Sequence, residues 1–419
     1  MLRRAFLLLA TTAVLAGCTG AGGPSSLALV NANGAIPVTP QSGAPPAPVA
    51  RVAILLPLTG DKAPLGQALL NAAKLALAAP GAPALDVKDT AGLPDRAAAA
   101  AKNAISAGDV MILGPLTTQE TAAVAAVAQP ANVPVLAFTS DRAQARPGVW
   151  TLGITPAQQV RRLVAAARDE GHSRFAAVVP DDPFGAALAD ALAQAETDQG
   201  AAPVASVRYA GGFQGLNNAL KQVSDFEGRR GGREARIKAL RASTDPATRQ
   251  QARDLANEPV PPPPFDALLL GAAGRPLQDI TSVLPYYDIT QPQVRILGPA
   301  LWARQAPTLG AIAGAWFAAP DPAARTTFEQ AYQARYNGQT PPPLSDLAYD
   351  AAAIARVLGQ TGGGTATLTR TDGFAGVDGV LALMPDGRVR RGLAVFEINQ
   401  GGGAHIVRPA PVDLSSPGV

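Results

Sequence analysis

The feature that most constrains the fold is an unbroken apolar run, Val52-Ala53-Ile54-Leu55-Leu56, stopped by Pro57. No position in it is polar, so neither face of a strand made from it suits contact with water. Such a strand belongs inside a parallel sheet covered by helices on both sides. The next eighty residues repeat that logic. Pro57-Leu58-Thr59-Gly60 turns the chain, and Leu65, Leu69, Ala72, Ala73 and Ala76 fall at helical spacing up to Pro80-Gly81. A strand is expected over 84–88. An Ala-rich helix is expected from Pro94-Asp95-Arg96 to Ser106, and a strand over Val110-Met111-Ile112-Leu113 closed by Gly114-Pro115. Thr117-Thr118-Gln119-Glu120 has the spacing of a capping box, with Thr117 as N-cap. Its helix runs to Gln129-Pro130, and Val133-Pro134-Val135-Leu136-Ala137 is the next strand.

A second series starts at Phe175-Ala176-Ala177-Val178-Val179. It continues with a helix over 183–199, a strand over 204–209, a helix after Asn217, and strands at 267–270 and 294–298. Alternation of this kind makes βαβ units and a mainly parallel sheet. With 419 residues, the chain suits two α/β lobes and a tail better than one core. Residues 227–264 interrupt the second series with a charged, Arg-rich stretch that ends in Pro261-Pro262-Pro263-Pro264. It reads as an exposed helical insertion, either a solvated excursion or a partner surface. Ser345 to Leu358 forms a further helix. Gly379–Leu383 and Arg391–Ile398 flank Pro385-Asp386-Gly387 as a hairpin would.

Charge and cysteine usage exclude several functions. The net charge is +3, with no basic stripe interleaved with aromatics, which argues against nucleic acid. The single cysteine, Cys18, forms no intramolecular disulfide and no Cys-based metal site on its own. Two histidines, His172 and His405, leave little scope for His chemistry. Asp181-Asp182 before Pro183 reads as an N-cap rather than a catalytic carboxylate pair. There is no nucleophile elbow, phosphate loop or zinc-protease motif in a fitting context. No enzyme, cofactor or metal is expected.

The front of the chain is of another kind. Leu2-Arg3-Arg4 precedes an apolar stretch from Ala5 to Val14, of signal-peptide length and too short to span a membrane. It ends in Leu15-Ala16-Gly17-Cys18, which resembles the bacterial lipobox. That resemblance implies cleavage before Cys18, lipidation of Cys18 and anchorage to a membrane. Thr19, where an Asp is absent, points by the same resemblance to the inner face of the outer membrane, with the body in the periplasm. Residues from Thr19 to Ala50 are rich in Gly, Ala, Pro and Ser and read as a tether.

Two family resemblances rest on the body. Ile54-Leu55-Leu56-Pro57-Leu58-Thr59-Gly60, Gly66, Ile112-Leu113-Gly114-Pro115-Leu116-Thr117-Thr118, Val133-Pro134-Val135-Leu136 and Pro180-Asp181-Asp182-Pro183-Phe184-Gly185 resemble the leucine/isoleucine/valine-binding-protein family. This implies a two-lobed type I periplasmic-binding fold. Gly271-Ala272-Ala273-Gly274-Arg275 and Ile296-Leu297-Gly298-Pro299-Ala300-Leu301-Trp302 resemble penicillin-binding protein activators, outer-membrane lipoproteins that stimulate a class A peptidoglycan synthase by contact. This chain lacks the long N-terminal helical-repeat domain of those proteins.

The expected organisation is a signal peptide (1–17), a lipidated Cys and tether (18–50), and two lobes. The N-terminal lobe takes 51–154 plus 322–360; the C-terminal lobe takes 155–321 plus 375–408 and carries the 227–264 insertion.

By the first resemblance, a small ligand sits between the lobes. Thr118 matches the hydroxyl position that holds a ligand's α-carboxylate, and Thr139 and Ser140 a second contacting loop. Thr117 is a further candidate, or only the helix cap. The position of the amine-binding acid falls near Ala272-Ala273, where no acid stands, and an ammonium taken out of water needs an opposite charge or well-placed acceptors. The expected partner is therefore a peptidoglycan synthase, with an amino-acid-type receptor for an ABC importer as the alternative.

Overall fold

The computed structural model describes residues 50–200, 202–361 and 365–414. The expected signal peptide, Cys18 and the tether up to 49 lie outside them.

The first lobe is built by β1 (Arg51–Leu56), α1 (Ala63–Ala76), β2 (Ala84–Asp89), α2 (Pro94–Ser106), β3 (Ile112–Leu113), α3 (Thr118–Ala128), β4 (Val135–Ala137) and β5 (Val149–Thr151). The strands pair in parallel in the order β2-β1-β3-β4-β5. β1 is an interior strand, covered on both sides, as its composition demands. Val52, Ile54 and Leu56 enter one core and Ala53 and Leu55 the other. Each large side chain fully buried this way contributes about 1.5–3 kcal/mol. The strand expected over 110–113 is shorter than its apolar run, because Val110 is 43% exposed and only Ile112 and Leu113 pair.

The chain then crosses to the second lobe, where α4 (Pro156–Asp169), β6 (Arg174–Pro180), α5 (Pro183–Gln199), β7 (Ala202–Tyr209) and α6 (Gly212–Val223) come in turn. After a wide helical turn at 227–231 come α7 (Gly232–Arg241) and α8 (Pro246–Asn257), which pack on each other. β8 (Ala267–Leu270), α9 (Arg275–Ile280), β9 (Arg295–Gly298) and β10 (Trp316–Ala319) complete the parallel part of the sheet. The chain returns to the first lobe as α10 (Pro322–Arg335) and α11 (Ser345–Thr361), whose Phe328, Tyr332, Leu347 and Ile354 enter the core beside α1. α12 (Thr365–Leu368) adds Leu368 to it.

The last segment corrects the expectation that 375–408 belongs wholly to the C-terminal lobe. β11 (Phe374–Gly376), β12 (Gly379–Leu383) and β13 (Val389–Arg391) form a separate antiparallel sheet, and Phe374, Val377, Leu381, Leu383 and Val389 pack into the first lobe's core. Only β14 (Ala394–Ile398) and β15 (Ala404–Arg408) join the second sheet, β15-β14-β10-β9-β8-β6-β7. The expected hairpin exists, but its second strand is β13. The run 391–398 is cut at Gly392-Leu393, where the chain crosses between the lobes. Gly392 N–H donates to Val380 C=O at 2.8 Å, while Leu393 and Val395 are buried in the second lobe.

Candidate functional site

In open parallel sheets, ligands bind beyond the carboxyl ends of the strands. The loop after β1 is shaped by Asp89, a residue that no sequence motif marks. Ending β2, it accepts from Leu58 N–H (2.8 Å), Thr59 N–H (3.2 Å), the Thr59 hydroxyl (2.7 Å) and Ala91 N–H (2.8 Å). Partial burial raises this carboxyl, and those bonds more than offset it, so its pKa lies below the ordinary value. Gly66 lets α1 pack under the same loop, since a Cβ there would lie 2.1 Å from Pro57 C=O.

Thr117 caps α3 in a full capping box. Its hydroxyl accepts from Glu120 N–H (3.3 Å), and its own N–H donates to the Glu120 carboxylate (3.1 Å). The other oxygen of buried Glu120 takes the Thr90 hydroxyl at 2.5 Å, which ties α3 to the loop after β2. The Thr117 hydroxyl is therefore occupied within the helix cap. Thr118 and Thr139 are brought together, their hydroxyls 3.3 Å apart across the carboxyl ends of β3 and β4. Thr139 Oγ1 also accepts from Asp141 N–H at 3.1 Å. Ser140 is exposed and shares no such bond among the described residues. Two hydroxyls beside the first turn of a helix can meet a carboxylate or another small anion.

The second lobe presents a different surface. Ala272 is fully buried and its carbonyl accepts the Trp302 indole N–H at 2.9 Å. Trp302 is itself fully buried and lies against Gly298, where a Cβ would come within 2.3 Å of the ring. An indole thus backs the loop after β8 at Ala272. Asp182 caps α5, accepting from Gly185 N–H at 2.7 Å, and Asp181 N–H donates to Tyr209 C=O at 2.8 Å. Both aspartates serve the turn after β6, in keeping with an N-cap. Among the described residues no cluster of His, Cys, Asp and Glu is suited to a metal ion, and no helix is long and apolar enough to cross a membrane.

Comparison with known proteins agrees with this architecture. Residues 49–227 match the family of periplasmic binding proteins. No curated protein matches the chain. Among solved structures the chain is similar to a protein assigned as a branched-chain amino acid ABC transporter from Rhodospirillum rubrum, with 20% identity and a TM-score of 0.61 over 86% of this chain and 100% of that one. It is also similar to the C-domain of LpoA from Haemophilus influenzae, a regulator of PBP1A (18% identity, TM-score 0.59, 85% of this chain and 100% of that one). With full-length LpoA from the same organism it shares 19% identity and a TM-score of 0.60 over 87% of its length, and it spans 59% of that longer chain. Transporter receptor and regulator thus share one scaffold, and at these identities the likeness speaks for the fold alone. The described body has the type I periplasmic-binding-protein fold, with residues 49–227 matching that family in sequence.

Proposed function

We propose that this protein is a non-enzymatic periplasmic lipoprotein, anchored through Cys18, that activates a class A peptidoglycan synthase by protein contact. The observation that carries the reading is the absence of an acidic residue at Ala272-Ala273. A receptor for free α-amino acids needs a negative charge to meet the ammonium it dehydrates. Here the stretch is alanine, and the Ala272 carbonyl is already engaged by Trp302. The LpoA C-domain, a regulator of PBP1A, has the same fold and thus offers a precedent for this architecture in a regulator. The Arg-rich excursion 227–264 and the Leu15-Ala16-Gly17-Cys18 motif fit a tethered body that reaches a partner.

The expected result is that the full chain co-purifies with its cognate synthase and raises the rate of glycan polymerisation, while Cys18→Ala moves it from the membrane to the soluble fraction. Absence of both co-purification and rate change would sink the reading. The Thr118–Thr139 hydroxyl pair favours the alternative of an amino-acid- or amide-binding receptor. That reading requires a ligand-dependent rise in Tm, since a ligand at 100 times its Kd adds about 2.7 kcal/mol. No shift across amino acids, amides and short peptides refutes it.

A further inference from the structure

A cavity of about 260 Å³ lies between α4 and α5 of the second lobe and, on the first, the chain after β4, the end of β5 and β13 with its preceding turn. Its wall carries Arg142, Arg161, Arg162, Arg388, Arg390 and Arg391, against a single lining carboxylate, Asp198. Two further acids pair with lining arginines from outside the wall. Asp350 lies 3.5 Å from Arg391 and Asp386 lies 2.5 Å from Arg388. Between the guanidinium groups the surface is mostly apolar, formed by residues such as Ala157, Ala195 and Val389, with Thr151, Thr155, Gln158 and Gln194 among them.

The arginines are held in place before any ligand arrives. Arg162 donates to the carbonyls of Leu393 and Pro409, each at 2.9 Å, so it spans the point where the chain crosses between the lobes. Arg391 donates from Nη2 to Leu152 C=O at 3.1 Å, and its side chain is fully buried. Its Nε and Nη1 are buried and make no hydrogen bond among the described residues. The nearest carboxylate, Asp350, stands 3.5 Å from Nη1. The crowding is felt by its neighbour too. Burial first, and Arg161 beside it, hold the Arg390 guanidinium below its ordinary value.

We propose that this cavity binds a small oxyanion, a carboxylate- or phosphate-bearing molecule with an apolar face, clamped between the two lobes. Guanidinium groups match carboxylate and phosphate oxygens in pairs, and an apolar wall excludes the water that would weaken them. The site draws on none of Thr117, Thr118, Thr139 or Ser140, so it is separate from the Thr118–Thr139 hydroxyl pair. Its lining comes from both lobes, so occupancy opposes their separation.

The test uses the full chain carrying Cys18→Ala, so that no acyl anchor intervenes. Melting is followed with inorganic phosphate or citrate against chloride at equal ionic strength, and sedimentation with phosphatidylglycerol against phosphatidylcholine vesicles. The expected result is a rise in Tm with phosphate or citrate, or binding to phosphatidylglycerol if the oxyanion is a lipid headgroup. In either arm, Arg142→Gln with Arg388→Gln lowers the apparent affinity at least tenfold. Both residues are exposed and outside the buried pairs, and far-ultraviolet circular dichroism verifies the fold. Arg390→Gln serves as an independent variant with the same expected loss. No response to any of the three probes (phosphate, citrate, phosphatidylglycerol) beyond its reference, or a response that the variants leave unchanged, overturns the proposal.

Discussion

Replacing Glu196 with Gln isolates the effect of burying one carboxyl. Glu196 lies on α5, is 4% exposed, and is pushed by burial from an ordinary value of 4.5 up to about 7. Between those two values the unfolded chain has released a proton that the folded chain still holds. Stability from this group is therefore complete below pH 4.5 and is lost as pH rises through about 7. A gap of about 2.5 in pH, at 1.36 kcal/mol each, sets an upper figure of about 3 kcal/mol. Screening by nearby solvent reduces it to about 1–2 kcal/mol. Gln keeps the shape and carries no charge at any pH, so the variant skips the loss. Other titrating groups, including Asp346 and Asp350 (raised by burial to about 6 and about 7), cancel in the comparison because both chains contain them. Urea unfolding, followed by the fluorescence of buried Trp150, Trp302 and Trp316, reads the difference. Glu196→Gln is expected to match the parent at pH 4 and to exceed it by about 1–2 kcal/mol at pH 8. A difference that stays constant across that range refutes the reasoning.

Gly298→Ala places a methyl group within 2.3 Å of the Trp302 ring, and overpacking of that kind costs about 1–3 kcal/mol. The expected outcome is a lower Tm together with a changed Trp emission; an unchanged Tm shows that the indole is free to move and does not plug the second-lobe surface. Arg229 donates to the Ser224, Pro261 and Tyr287 carbonyls and to Asp288, and so fastens the start of the 227–264 excursion to the lobe. Arg229→Ala leaves those acceptors without their donor and is expected to cost about 3 kcal/mol. Hydrogen exchange should rise first in α7 and α8, and equal protection in both proteins counts against the tie.

How much of the fold is legible in the sequence depends on how far each signal travels along the chain. β1, β6 and β8 are continuous apolar runs buried on both faces, and Pro at the first turn opens α2, α5 and α8, so periodicity and punctuation find them locally. β5, three residues long, is too short to show a period, and no local pattern marks it. The division of 374–408 between the lobes is invisible for another reason. Gly392-Leu393 lies inside one apolar stretch, and only the partners, Val380 on one side and β10 on the other, reveal the crossing.

The two candidate sites differ in the same way. Thr118 and Thr139 lie 21 positions apart and come to notice by resemblance; their approach to 3.3 Å gives that resemblance a geometry without giving it a ligand. The arginine cavity gathers side chains from 142 to 391, each of which read alone is a solvated surface cation. Its signal is the excess of guanidinium groups at one place, a property of the folded chain alone. A scaffold that serves both receptors and regulators keeps its lobes and exchanges its surfaces, so what this chain recognises has to be sought where charge of one sign is concentrated. By that measure the crossing between the lobes is a stronger candidate than the strand-end cleft, because concentrated charge there both attracts a ligand and couples its presence to the arrangement of the lobes.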